Sequence, residues 1–148
     1  LQDLLKYQHS PYILVEAESR RIGKVLLPDF LLNKKSEGIQ IYIDMPIDER
    51  VRNILDDYQP WNYHEEFIHA FKLIKKRIHT PVAAEIEKNL YAEEYGLAFR
   101  LLLEYYYDPR YQYAMDQYPN KYTYTLKVDN VDEAVDSMKQ LLSNVTVN

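Results

Sequence analysis

The chain of 148 residues is 47% apolar and 28% charged, with a formal net charge of −5. These values fit one globular domain with its own core; they exclude a disordered segment and a chain coated in basic residues for unspecific nucleic-acid binding. The lack of cysteine excludes disulfides, thiolate metal sites and cysteine nucleophiles, and no apolar run spans a bilayer, so a cytoplasmic location is expected.

"LQDLLKY" reads as mid-helix with no leading methionine, which suggests a piece of a longer protein. Pro11 then precedes the apolar run Tyr12-Ile13-Leu14-Val15, expected to be a buried strand. A short helix follows Pro28-Asp29 and stops at Gly38. "IQIYIDM", Ile39 to Met45, alternates as a second strand. "PIDERVRNILDDY" sets Val51, Ile54 and Leu55 on one helical face. In "YHEEFIHAFKLIKKRIH", read as one helix, Phe67, Ile68, Phe71, Ile74 and Ile78 recur at helical spacing.

Thr80-Pro81 restarts a helix, with Thr80 as N-cap and Pro81 at the first helical position. The next helix runs from about Gly96 through "LAFRLLLEYYY" and is expected to end at Asp108-Pro109. "KYTYTLKV" alternates strictly, so Tyr122, Tyr124, Leu126 and Val128 should share a buried face. In the last helix Asn130 caps with Glu133, and Val131, Ala134, Val135, Met138, Leu141 and Leu142 form the apolar stripe. Strand, crossover and strand, then a helical middle and a closing strand-helix unit, predict an α/β fold with a partial parallel sheet layer.

The charged end of the first strand, "VEAESRRIGKV", is the most suggestive stretch. In open parallel sheets ligands collect at the carboxyl ends of strands. Glu16 and Glu18 project to one face of extended backbone and suit a hydrated Mg²⁺. Ser19, Arg20 and Arg21 follow at once, offering a hydroxyl and two guanidinium forks to phosphate oxygens. The same acids and arginines also suit a solvated loop in which they neutralise one another. A phosphate-cradling GxxxxGK[ST] loop is absent, because the three glycines, Gly23, Gly38 and Gly96, do not form that pattern.

Other motifs carry paired readings. His64 and His69 in "HEEFIH" are five apart, not the four of a zinc-binding HExxH. Lys72, Lys75, Lys76 and Arg77 form either a solvated helix end favouring the dipole or a docking face for a nucleic-acid backbone. Among the tyrosines, Tyr122 and Tyr124 suit packing, whereas Tyr107, Asp108, Arg110 and Tyr111 are candidates for RNA or for docking a neighbouring domain. Arg50 and Arg52 open a helix where arginines close over phosphates in phosphoryl-transfer folds; pairing with Asp48, Glu49, Asp56 or Asp57 fits equally.

"VEAESRRIGKVLLPD", "IYIDMPIDERVRNILDDY", "KKRIH" and "LLLEYYYDPRYQYAM" together resemble the tRNA 2-selenouridine synthase family, and the resemblance covers nearly the whole chain. It implies a parent with an upstream rhodanese domain bearing a catalytic cysteine, joined to a P-loop domain. That parent replaces the sulfur of wobble 2-thiouridine with selenium from selenophosphate, through an S-geranyl intermediate made from geranyl diphosphate. Residues 1–60 would then be the remainder of a P-loop-like domain lacking its Walker A half, and residues 61–148 a helical segment with the strand-helix unit. No catalytic residue is expected in this chain. Glu16, Ser19, Arg20, Arg21 and Arg50 are expected at a phosphate ligand or its Mg²⁺, with tRNA as partner and a dimer possible through the truncated sheet edge. The alternatives are a piece of a P-loop small-molecule kinase and a non-catalytic interaction module.

Overall fold

A computed structural model describes residues 9–16, 21–22, 25–116 and 123–144, with Arg21, Ile22 and Val25 as backbone alone. Glu18, Ser19, Arg20, Lys121 and Tyr122 therefore lie outside the described residues. The chain is an α/β fold, mostly helical, with a small parallel sheet. No helix among the described residues is long and apolar enough to cross a membrane.

A short antiparallel hairpin joins β1 (Arg21–Ile22) to β2 (Val25–Leu26). Helix α1 (Asp29–Glu37) follows, with an acid in its first turn and Lys34 and Lys35 in its last, as the helix dipole favours. Gly38 ends it by close approach: a Cβ there would lie 3.0 Å from the Lys34 carbonyl oxygen. Strand β3 (Gln40–Asp44) leads through Pro46 into α2 (Ile47–Tyr58), whose Ile54 and Leu55 pack on the core.

The core is helical. It joins α3 (His64–Ile74), α4 (Thr80–Tyr91) and α5 (Tyr95–Leu102) through Ile68, Phe71, Ile78, Ala83, Ile86, Leu90, Ala98 and Phe99, all of them buried. Removing such side chains from water is the main stabilising term, roughly 1.5–3 kcal/mol for each large one. The turn from α4 to α5 has Glu93 in the left-handed region (φ 59°), with the Glu94 N–H donating to the Asn89 carbonyl at 2.9 Å. Glu93 thereby satisfies the end of α4 in a role usually given to glycine.

The parallel sheet pairs β3 with β4 (Thr123–Lys127) from the far end of the chain, in a register that runs from Gln40 opposite Thr123 to Asp44 opposite Lys127. Helix α7 (Val131–Asn144) then packs against β4. Its start is capped as expected: Asn130 Oδ1 accepts from the Glu133 N–H at 2.9 Å. The Glu133 carboxylate reaches back to the Asp129 N–H at 2.7 Å.

Several expectations are corrected. Tyr12-Ile13-Leu14-Val15 is not a buried strand: the run pairs with no strand among the described residues and is 46–61% exposed. An apolar run of that kind needs covered faces and hydrogen-bonded edges, and β3 has instead taken β4 as its partner. Tyr124 is 42% exposed, and on α7 Val131 and Val135 face outward while Ala134 is buried. The basic helix ends at Ile74, and Lys75–Arg77 form a separate 3₁₀ turn. Thr80 is the first residue of α4, with His79 in the cap position.

Asp108-Pro109 does not end its helix. A π-helical turn, Leu103–Tyr107, carries the chain from α5 into α6 (Asp108–Met115), and the Asp108 N–H donates to the Leu103 carbonyl five residues back. Proline lacks an N–H and its ring collides with the carbonyl four residues earlier in an α-helix. The wider turn lets Pro109 sit in the first turn of α6, where that N–H is not needed.

Candidate functional site

Arg50 comes off the carboxyl end of β3, three residues into α2. Its guanidinium Nη1 donates to Asp108 Oδ2 at 3.0 Å, and Nη2 donates to Oδ1. The π turn is what delivers Asp108 to this point. This two-pronged pair raises the Arg50 pKa above its ordinary value, chiefly through the Asp108 hydrogen bonds; burial opposes them in part. Arginine has five N–H donors, so three remain after Asp108 has taken two.

Two clefts flank the pair. The first, of about 550 Å³, lies between residues 13–16 and β3, with Arg50, Asp108 and Tyr111 on its wall. The second, of about 650 Å³, is lined by Ile54, Phe67, Ala70, Phe71, Phe99 and Leu102 among others. Arg50 and Tyr111 line both. Tyr58 stands at the second cleft with its ring edge-on to Phe67, 6.5 Å between centroids. An apolar cavity with a few polar groups at one end is the usual form of a small-molecule site.

The residues singled out from the sequence are thus partly gathered. Arg50, Tyr107, Asp108 and Tyr111, expected in separate phosphate and RNA sites, meet at these clefts. Glu16 joins them: the Tyr111 hydroxyl donates to its carboxylate at 3.3 Å. Tyr107 packs edge-on against Tyr106, and the Arg110 guanidinium lies 4.9 Å from the centre of the Tyr106 ring, a cation–π arrangement. Glu18, Ser19 and Arg20 lie outside the described residues, and Arg21 enters only as backbone of β1. Among the described residues no three Asp, Glu or His side chains gather in a cluster that could hold a metal ion.

The basic cluster divides. Lys75 Nζ is 2.6 Å from Glu87 Oε2 on α4 and braces the 3₁₀ turn. Lys72, Lys76 and Arg77 are exposed, and among the described residues no acid pairs with them. Arg52 pairs with Glu49, and Asp48 is taken by Arg100 of α5. His64 shares a 2.8 Å hydrogen bond with the buried Tyr95 hydroxyl, a structural role that the "HEEFIH" motif does not announce. The second cleft was legible only as core, because its residues follow the same helical period as the core itself.

The family model for the tRNA 2-selenouridine synthase AAA domain matches residues 1–141. The chain belongs to that family. A tRNA 2-selenouridine synthase from Sulfurovum sp. (strain NBC37-1) is 25% identical over 132 residues, covering 72% of this chain and 36% of the relative. One from Proteus mirabilis (strain HI4320) is 24% identical over 160 residues, covering 88% and 44%. One from Nitrosomonas europaea (strain ATCC 19718) is 41% identical over a shorter stretch of 59 residues, covering 38% and 15%. The chain therefore matches less than half the length of each of these relatives. No solved structure matches.

Proposed function

We propose that this chain works within a tRNA 2-selenouridine synthase, where it seats the geranyl group of geranyl diphosphate and engages the tRNA. The whole enzyme would turn wobble 2-thiouridine into 2-selenouridine, with selenophosphate as selenium donor and an S-geranyl intermediate. The observation that carries the reading is the apolar cleft with Arg50 and Tyr111 among its lining residues. A short isoprenoid chain fits such a lining, and the three remaining donors of Arg50 suit its diphosphate.

In the first step the uridine sulfur attacks C1 of the geranyl group. A carbon–sulfur bond forms, the carbon–oxygen bond breaks, diphosphate leaves with the electron pair, and the uridine N3 proton is released to solvent. Arg50, its plane fixed by Asp108, offsets the charge gathering on that leaving group. The apolar walls exclude water that would otherwise hydrolyse the donor. The exposed Lys72, Lys76 and Arg77 would hold the tRNA backbone, and Mg²⁺, where used, would be met by Glu16 and Glu18 beside Ser19, Arg20 and Arg21.

The test is Ala70→Trp in a full-length enzyme, since Ala70 lines the cleft and is exposed, so that the larger ring fills the cleft from its open side. Transfer of labelled geranyl to tRNA should fall by at least about tenfold while tRNA affinity is unchanged. Transfer at the unaltered rate would overturn the reading.

A further inference from the structure

The turn between α2 and α3 carries three large rings, Tyr58, Trp61 and Tyr63, all 53–61% exposed. Among the described residues Trp61 and Tyr63 make no side-chain hydrogen bond or ring contact. The backbone beneath them is fixed. Gln59 closes α2 in the left-handed region (φ 43°), and its N–H donates to the Leu55 carbonyl at 3.0 Å. Pro60 is buried; the Asn62 N–H donates to the Gln59 carbonyl at 2.9 Å and the Tyr63 N–H to the Pro60 carbonyl at 3.0 Å. The Asn62 side-chain amide also donates to Gln59 Oε1 at 3.1 Å. Folding therefore gains little from the rings of Trp61 and Tyr63, yet holds them outward on a tied-down turn. Exposed apolar groups gathered in this way mark a contact surface, and prior ordering lowers the cost of binding there.

We infer that this turn is a stacking platform for unpaired bases of the tRNA. The inference rests on the tRNA reading above and adds which surface meets bases and which meets backbone. Aromatic rings take the flat faces of splayed bases. Phosphate is not the contact here: no Lys or Arg lies between Arg52 and Lys72, and the exposed Asp56, Asp57, Glu65 and Glu66 flank the rings in sequence. Carboxylates repel phosphate but accept hydrogen bonds from base amino groups. The cations stand at the other end of α3, at Lys72, Lys76 and Arg77; its 11 residues put the two ends roughly 16 Å apart. Between them Ala70 lines the apolar cleft, and Tyr58 lines that cleft as well as belonging to the platform. Bases held at the turn therefore lie beside the cleft. The acids would also suit a basic protein segment, but the cations on the same helix favour a nucleic acid. Phosphate contacts position a nucleic acid and base contacts select it, so the platform governs which tRNA is accepted.

The test uses a full-length enzyme with Trp61→Ala and Tyr63→Ala, singly and together. Each should lower affinity for tRNA about fivefold or more while the log–log salt slope stays unchanged, because no phosphate contact is lost. Affinity for a fully base-paired RNA duplex, which offers no free base, should not move. Trp61→Phe keeps a ring and should retain most of the affinity. Urea midpoints should match the unaltered enzyme throughout, since both side chains are exposed. Trp61 is the one tryptophan of this chain, so the emission lost in Trp61→Phe is its own. That component should be quenched by tRNA and not by the duplex. Unaltered tRNA affinity in the double alanine variant would overturn the proposal. So would a loss with a shallower salt slope, which would place phosphates at the turn. Quenching by oligoarginine but not by tRNA would assign the turn to a basic protein segment, with the same consequence. Failure of the unaltered enzyme to bind tRNA at all would instead overturn the tRNA reading and this inference with it, so the two failures are told apart.

Discussion

Arg50 and Asp108, 58 residues apart in sequence, meet through both oxygens of one carboxylate and both terminal nitrogens of one guanidinium. The pair fastens the helix that follows β3 to the helix that follows the π turn, and it stands between the two clefts. Position and chemistry coincide, because the residue nearest the proposed diphosphate is also a structural tie.

The tie has a measurable strength. Its side chains are 29% and 35% exposed, so solvent weakens the attraction without abolishing it. Arg50→Ala and Asp108→Ala should each lower unfolding free energy by about 1–2 kcal/mol, and the double variant should lose less than their sum. Urea denaturation of the four proteins gives the coupling. Additive losses would mean that the pair contributes nothing as a pair. Arg50→Lys should not restore it, since an ammonium lacks the planar fork.

The π turn and Pro109 explain each other, and that link makes a second expectation. Deleting Tyr105, which is 54% exposed and removes little packing, should close the turn to an α-helix and push Pro109 into a helix interior. That placement costs about 3 kcal/mol. Adding Pro109→Ala to the deletion should recover most of the loss, while Pro109→Ala alone in the intact chain should change stability little. If the deletion is equally destabilising with alanine at 109, proline is not the cause of the turn.

The basic turn separates structure from binding. Lys75 is committed to Glu87, whereas Lys72, Lys76 and Arg77 reach solvent. In a full-length enzyme Lys72→Glu with Arg77→Glu should weaken tRNA binding and make its salt dependence shallower. The log–log slope should change by roughly 0.7–0.9 for each phosphate the protein no longer neutralises. Lys75→Gln should instead act mainly on stability, by less than about 1 kcal/mol. Titrations at several salt concentrations distinguish the two; an unchanged slope in the double variant would remove this surface from the tRNA interface.

These relationships also mark where the amino-acid sequence can and cannot be read. Helical spacing identified Phe67, Ile68, Phe71 and Ile74 as inward-facing, and Asn130 with Glu133 announced the start of α7, because period and capping are local. The partner of β3 was not local: Gln40 lies opposite Thr123, and nothing in either strand names the other. Tyr12 to Val15 has the composition of a central strand, but composition does not say which strand lies beside it. Tyr124 alternates correctly and still faces water, since alternation gives two faces without saying which is covered. Glu93 occupies a left-handed position where glycine is the usual signal, so the turn from α4 to α5 was unmarked. The charged "ESRR" stretch, the strongest functional cue in the sequence, lies mostly outside the described residues, and the site gathers instead around the tyrosine-rich block.

The last expectation concerns alkaline pH. Burial pushes the Tyr95 phenol above its ordinary value of 10.0, with the nearby Glu93 charge adding to the effect, so the folded chain holds this proton more tightly than the unfolded chain. Its contribution to stability is complete below pH 10.0. Above that, the unfolded chain loses the proton first and the contribution declines until the folded value is passed. Tyr95→Phe gives up the bond to His64 and should cost about 1 kcal/mol near neutrality. It also removes this residue's share of the alkaline decline, so the gap between the two proteins should narrow as pH rises. Urea midpoints at about pH 8 and about pH 11 measure that gap. A gap that stays constant would mean that Tyr95 titrates alike in the folded and unfolded chains.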